Sequence, residues 1–196
     1  NNIAHATWTM STDATPWTDR GTGYNSGENN NWGEEPVDRL EDFRCGWPGL
    51  CRTGDGGEAI FCHQGSDSIT MQKRSTIGSG AWEVSRLPGT LTNDFLWPRV
   101  ATDGNTIHVI ALSAPSGDLG GTPINGVDGN LAYWRSTDNG ATWDIQSQLF
   151  AAIDSNEFKF VSGDTYAIDA REGKVSIGIF SQFSDAILIS SLDGGD

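Results

Sequence analysis

The feature that most constrains this chain is a turn that recurs along it. Its fullest form is Ser136-Thr137-Asp138-Asn139-Gly140-Ala141-Thr142-Trp143, which follows the strand-like run Asn130-Leu131-Ala132-Tyr133-Trp134-Arg135. Reduced copies stand at Ser11-Thr12-Asp13-Ala14-Thr15-Pro16-Trp17, at Ser75-Thr76-Ile77-Gly78-Ser79-Gly80-Ala81-Trp82 and at Ser191-Leu192-Asp193-Gly194-Gly195, with leading serines 64, 61 and 55 residues apart. The residue types explain the recurrence. A carboxylate at the third position accepts hydrogen bonds from turn amides, glycine takes a positive φ, and the tryptophan returns to a core between sheets. Ser136, Asp138, Gly140, Thr142 and Trp143 are therefore read as structural, as are Ser11, Asp13, Trp17, Ser75, Gly80, Trp82, Ser191 and Asp193 in the reduced copies. Periods of this length suit a unit of four short strands with their loops.

A second motif keeps register with the first. Trp47-Pro48-Gly49-Leu50-Cys51-Arg52-Thr53-Gly54-Asp55-Gly56 lines up with Trp97-Pro98-Arg99-Val100-Ala101-Thr102-Asp103-Gly104, and each precedes an apolar strand, Glu58–Cys62 and Thr106–Ala111. Tyr166–Gly173 followed by Val175–Phe180 is a looser third copy. Each unit reads as strand, Asp/Glu-Gly turn, strand, variable loop, strand, box turn, strand. Composition agrees, because 25 glycines and 8 tryptophans among short apolar runs serve tight turns and pleated faces. No stretch approaches the roughly 20 apolar residues of a membrane-spanning helix. The expected class is all-β.

The complete turn matches Ser-x-Asp-x-Gly-x-Thr-Trp, the Asp-box, and through it the chain resembles the sialidase-like, BNR-repeat β-propellers. The resemblance implies four-stranded antiparallel blades: a partial blade over 1–19, blades over about 36–86 and about 94–149, and a partial blade over about 158–196. Propellers close with roughly four to eight blades. Two full and two partial blades make an incomplete ring, so the chain is expected to be part of a longer polypeptide. In its degenerate boxes, Gly/Asn-rich loops and acidic balance it is similar to propeller modules of large secreted or cell-surface bacterial proteins, including those of type IX secretion in Bacteroidetes. That implies an extracellular or cell-surface module for display, adhesion, or binding of a glycan or protein ligand. The alternative is an exo-glycosidase of sialidase type. Sialidases also carry an Arg-Ile-Pro motif, an arginine triad, a Tyr/Glu nucleophile pair and an acid/base Asp. Here Arg-Ile-Pro is absent, Pro98-Arg99-Val100 is a faint echo, and Tyr24, Tyr133 and Tyr166 lack the nucleophile's context, so no catalytic residue carries over.

Strand parity assigns the loops to two faces. The box turns share a face with the short turns Asp55-Gly56-Gly57, Asp103-Gly104-Asn105 and Arg171-Glu172-Gly173, whereas the long segments Arg20–Pro36 and Ser113–Asn130 lie opposite. Inner strands begin on the long-loop face. Trp47, Trp97 and Arg99, with Arg44 and Asp94 just before them, are therefore placed at the mouth of the central channel, where aromatic and cationic groups could hold a sugar or a carboxylate. The other reading is that the Trp-Pro pairs pack where strands begin and the charges are solvated. Asp118 and Asp128 are candidate Ca²⁺ ligands in a loop rich in carbonyls, against the reading of a solvated loop. His5, His63 and His108 are scattered and predict no histidine metal cluster.

Twelve Lys and Arg against 26 Asp and Glu give a net charge of −14, which opposes nucleic acid and anionic membranes as partners. The chain opens Asn-Asn-Ile-Ala-His with no Met, basic or apolar leader, so any signal peptide is expected to have been removed or to lie outside this segment. Cys45, Cys51 and Cys62 leave two readings: a disulfide, Cys45–Cys51 or Cys51–Cys62, with one thiol over, as export favours, or three free core thiols. Gly-Lys-Ser/Thr phosphate loops and Gly-x-Ser-x-Gly elbows are absent, which argues against NTPase and α/β-hydrolase chemistry.

Overall fold

Four antiparallel sheets follow one another along the chain in a computed structural model that describes residues 3–29, 31–64, 68–180 and 186–196. The first holds β1 (Ile3–Met10), β2 (Gly21–Glu28) and β3 (Asn31–Trp32). The second runs β4 (Gly46–Arg52), β5 (Glu58–Gln64), β6 (Ser68–Arg74) and β7 (Glu83–Arg86) in that spatial order. The third repeats it with β8 (Phe95–Asp103), β9 (Thr106–Ser113), β10 (Leu131–Ser136) and β11 (Ile145–Leu149). The fourth holds β12 (Tyr166–Arg171), β13 (Lys174–Ile179) and β14 (Ile187–Ser191). The sheets are propeller-like blades that do not close into a ring.

Inner strands lie side by side, β4 against β8 and β8 against β12. The apolar residues of the blades meet between neighbours. Phe61, Ile69 and Met71 of the second blade pack with Ile107, Val109 and Trp134 of the third. Ile110, Leu112 and Tyr133 of the third blade pack with Tyr166, Ile177 and Ile179 of the fourth. Such alternation lets each strand bury both faces, as a sheet stacked between two others must. The seam between the first and second blades is different. Beside Ile60 and the thiols of Cys45 and Cys62, its buried side chains are polar, Thr22, Glu41, Glu58, Thr70, Gln72 and Arg74, and none of the apolar clusters includes a residue of β1 or β2.

The first blade corrects three expectations. The Gly/Asn-rich segment from Arg20 to Pro36 is not a loop for most of its length: Gly21–Glu28 pairs with β1 over eight rungs. Its glycines make room for neighbours, since a Cβ at Gly23 would lie 2.5 Å from the Trp8 indole. Secondly, β1 runs against β4, because Thr9 Oγ1 accepts from the Trp47 amide at 2.9 Å while Ile3 O accepts from Arg52 at 2.8 Å. The turn 11–17 therefore lies on the long-loop face and is no counterpart of the box turns. Thirdly, its clamp is Asp19 rather than Asp13. The Asp19 carboxylate accepts from Ser11 Oγ, from Thr12 Oγ1 and from the Thr12 amide at 2.7 Å, which holds it well below the usual carboxylate range. Trp17 is half exposed at a φ of 60° and enters no core.

The other turns lie together on the opposite face. Asp138 accepts from Ser136 Oγ at 2.8 Å, from the Thr142 amide at 2.7 Å and from Thr142 Oγ1 at 2.6 Å, and Gly140 holds a φ of 82°. Ser191 and Asp193 repeat the first half, with Ser191 Oγ donating to Asp193 at 2.7 Å and accepting from the Gly195 amide at 2.8 Å. Trp143 packs edge-on to Phe61, 6.2 Å between centroids. In the Ser75 copy, Ile77 replaces the carboxylate, and Trp82 covers the Arg74 guanidinium at 4.2 Å instead of entering an apolar core.

Sheet parity also corrects both predicted disulfides. Cys51 pairs with Ala59 and shares the Phe61 face that packs on the third blade, whereas Cys62 points from the other face toward the first. All three cysteines are buried free thiols.

Candidate functional site

Where β4 and β8 begin, the repeated Trp-Pro pairs form matching bulges. The β4–β5 register shifts between Gly46 and Gly49, and the β8–β9 register between Leu96 and Arg99. Trp47 and Trp97 sit inside these bulges at φ of 50° and 51°, a left-handed conformation that bulky side chains rarely adopt. A conformation this costly, kept twice, re-aims both indoles toward one place. Their rings meet edge to face, 6.3 Å between centroids at 84°.

His63 of β5 lies beneath them. Its ring stacks on Trp47 at 5.2 Å and 20°, and its Nδ1 accepts the Trp97 amide at 3.2 Å, which places the proton of the neutral ring on Nε2. Burial, then the Arg20 and Arg44 cations, push the His63 pKa down to about 4, so the ring is neutral at physiological pH. The Arg20 guanidinium lies 4.7 Å from the Trp47 ring centre, with Nε donating to Cys45 O at 3.0 Å. Arg44 Nε donates to Trp17 O at 3.3 Å.

These groups wall a cavity of about 330 Å³, completed by Asp94, Leu96, Ala114, Asp118 and Leu119. Arg20 comes from the first blade, Arg44, Trp47 and His63 from the second, and the rest from the third. Trp47 is 41% exposed, so it is available to a ligand and is not merely packing. Arg20 and Arg44 thus line the cavity together with the aromatic pair, and so do Asp94 and Asp118.

Of the residues singled out in the sequence, Arg44, Trp47, Asp94, Trp97 and Asp118 meet here. Arg99 does not. Its guanidinium donates to Pro98 O at 3.2 Å and Gly163 O at 3.0 Å and lies 3.6 Å from Asp164, tying the third blade to the fourth. The bulge is the cause, because one extra residue reverses the side on which Arg99 emerges. Asp128 is also elsewhere engaged, accepting from the Ser116 amide at 2.7 Å and hydroxyl at 2.6 Å, so it closes its own loop apart from Asp118. Among the described residues no three His, Cys, Asp or Glu side chains converge on a metal position. Sequence reasoning missed Arg20 and His63. The signal for His63 was its place one residue after Cys62 on a strand whose register is set by the Trp47 motif.

The sequence matches no protein-family model and no curated protein. Solved structures are similar in shape. The GH43 endo-arabinanase of Bacillus licheniformis aligns with 97% of this chain and 69% of its own length, at a TM-score of 0.55 and 11% identity. A Dyadobacter fermentans protein of unknown function aligns with 98% of this chain and 63% of its own, at 0.60 and 12%. The phage phi92 endosialidase aligns with 95% of this chain and 32% of its own, at 0.50 and 13%. At such identities the likeness establishes the architecture, and the chain has a β-propeller-like fold.

Proposed function

We propose that the cavity at the long-loop face binds a glycan bearing a carboxylate, and that the chain serves as an exported propeller module that displays this site. The observation that carries the proposal is the convergence of two indoles and two guanidinium groups on one cavity. Indole faces stack on the apolar face of a sugar ring, and a guanidinium fork matches a carboxylate. The shape likeness to arabinanases and an endosialidase is compatible with a glycan ligand.

The test is a tryptophan-fluorescence titration with galacturonic acid oligomers, with arabinan oligomers as the neutral control. Acidic oligomers quench and saturate, and Arg44→Ala weakens them about 10- to 100-fold, as expected when a charged hydrogen bond worth ~1.5–3 kcal/mol is lost. Equal binding of both probes, or no effect of Arg44→Ala, removes the carboxylate from the proposal.

A second reading has one observation in its favour: two carboxylates, Asp94 and Asp118, line this cavity, and a glycosidase uses a pair of carboxyl groups as acid and base. Release of reducing ends from either oligomer, lost in Asp94→Asn, would make the module an enzyme.

A further inference from the structure

Directly behind this cavity wall two of the three buried thiols meet. Gly46 pairs with His63, so Cys45 and Cys62 stand diagonally across the first rung of the β4–β5 ladder, on the sheet face turned toward the first blade. Cys62, then burial and the nearby Glu41, push the Cys45 thiol up. One chain of polar groups links both sulfurs. Cys45 Sγ donates to Glu41 Oε1, Glu41 Oε2 accepts from Gln72 Nε2 at 3.0 Å, and the same Gln72 nitrogen lies 3.8 Å from Cys62 Sγ. Cys51 is excluded from this meeting by parity, since it faces the third blade, and burial pushes its thiol up to about 12.

We propose that Cys45 and Cys62 are a disulfide-forming pair and Cys51 a permanent free thiol. The bond forms by exchange with a small-molecule or enzyme disulfide. One cysteine thiolate attacks the donor disulfide and releases one donor thiol, and the second cysteine then displaces the other. Two protein thiols are thereby oxidised, and the donor disulfide is reduced to two thiols. In the folded protein both sulfurs are sealed, each at 0% exposure, so the exchange takes place while the chain folds, before the first blade closes over the second. The consequence for the cavity is direct. Cys45 lies between Arg44 and Trp47, and Cys62 precedes His63, so the bond pins the cationic and aromatic parts of the wall to the strand beneath them.

The test refolds the full chain in a glutathione redox buffer, caps remaining thiols with iodoacetamide, and maps tryptic peptides by mass spectrometry. Cys45 and Cys51 share the peptide Cys45–Arg52, and Cys62 lies in Thr53–Lys73. The expected product is these two peptides joined, with a single carbamidomethyl group that fragmentation between Gly46 and Leu50 places on Cys51, and with the join lost after dithiothreitol. Cys51→Ala keeps the join and Cys45→Ala abolishes it. Three capped cysteines, a bridge within Cys45–Arg52, or a cap placed on Cys45 would each overturn the assignment. The fragmentation readout needs only the unmutated chain, so it decides the matter even if a variant fails to fold.

Discussion

Glu58 is where the seam between the first two blades is most exposed to test. Its side chain is fully buried at the start of β5 and gathers donors from both blades. Tyr24 Oη donates to both oxygens at 2.9 and 3.1 Å, Arg74 Nε at 2.7 Å and the Gly78 amide at 3.0 Å, and His5 Nδ1 donates to Oε2. Arg74, itself nearly buried, is held between the Tyr24 and Trp82 rings at 4.7 and 4.2 Å. Burial by itself would raise the Glu58 pKa; the bonds from His5, Gly78, Arg74 and Tyr24 outweigh it and lower the pKa from its ordinary value of 4.5. Glu58→Gln keeps the shape but leaves the Arg74 cation buried without its counter-charge, a loss of about 3–5 kcal/mol. At roughly 2–4 °C per kcal/mol for a chain of this size, Tm falls by roughly 6–20 °C. Differential scanning calorimetry at pH 7 measures it. The pH dependence has a definite sign. A carboxylate with a lowered folded-state pKa stabilises above its unfolded value and loses that contribution as pH falls through the folded one. The wild-type advantage over Glu58→Gln therefore shrinks as pH drops below 4.5. A Tm within 2 °C of wild type at pH 7, at the bottom of the roughly 2–4 °C that one kcal/mol produces, would refute the account of this seam.

Two further perturbations test the turn assignments. Asp138→Ala removes the acceptor of three hydrogen bonds on an exposed turn and is expected to cost about 1–2 kcal/mol by urea denaturation, without changing ligand affinity of the folded protein. Thr142 and then Ser136 hold the Asp138 pKa at about 2, so its contribution is present above 3.8 and fades as pH approaches 2. At the first turn, Asp19→Ala destabilises more than Asp13→Ala, because Asp19 binds Ser11 and Thr12 whereas the Asp13 carboxylate meets Thr18; the reverse order in thermal melts would restore Asp13 as the clamp.

What could be read from the sequence depended on how far each interaction reaches along the chain. The Asp138 clamp closes within four residues, so the spacing of Ser136, Asp138, Gly140 and Thr142 encodes it completely. Ser11–Trp17 copies the spacing but lacks the glycine, and its clamping carboxylate arrives at Asp19. Nothing local shows that β1 runs against β4, because that direction is set by contacts such as Trp47 to Thr9, 38 residues apart. Repetition made Trp47 and Trp97 legible. The bulge that repetition marks also turns Arg99 away from the cavity, since it interrupts the alternation between Trp97 and Arg99.

The cavity therefore stands on two kinds of support. Its aromatic half hangs on bulged strands whose far ends are anchored in apolar cores, where burial is insensitive to pH and to charge. Its cationic half depends on the first blade, which supplies Arg20 and the Trp17 carbonyl that orients Arg44. That blade is joined to the second through Glu41, Glu58, Gln72 and Arg74. Directional bonds of this kind fix one docking geometry where an apolar contact would tolerate several. A Cβ at Gly46 would lie 3.0 Å from Arg20 Nε, so the absence of a side chain there is what lets the guanidinium cross from the first blade to the Trp47 face. The position of the positive charge in the cavity is thus set by a polar seam and one glycine, and the position of the rings by two bulges, which is why only the rings could be found by their repeat.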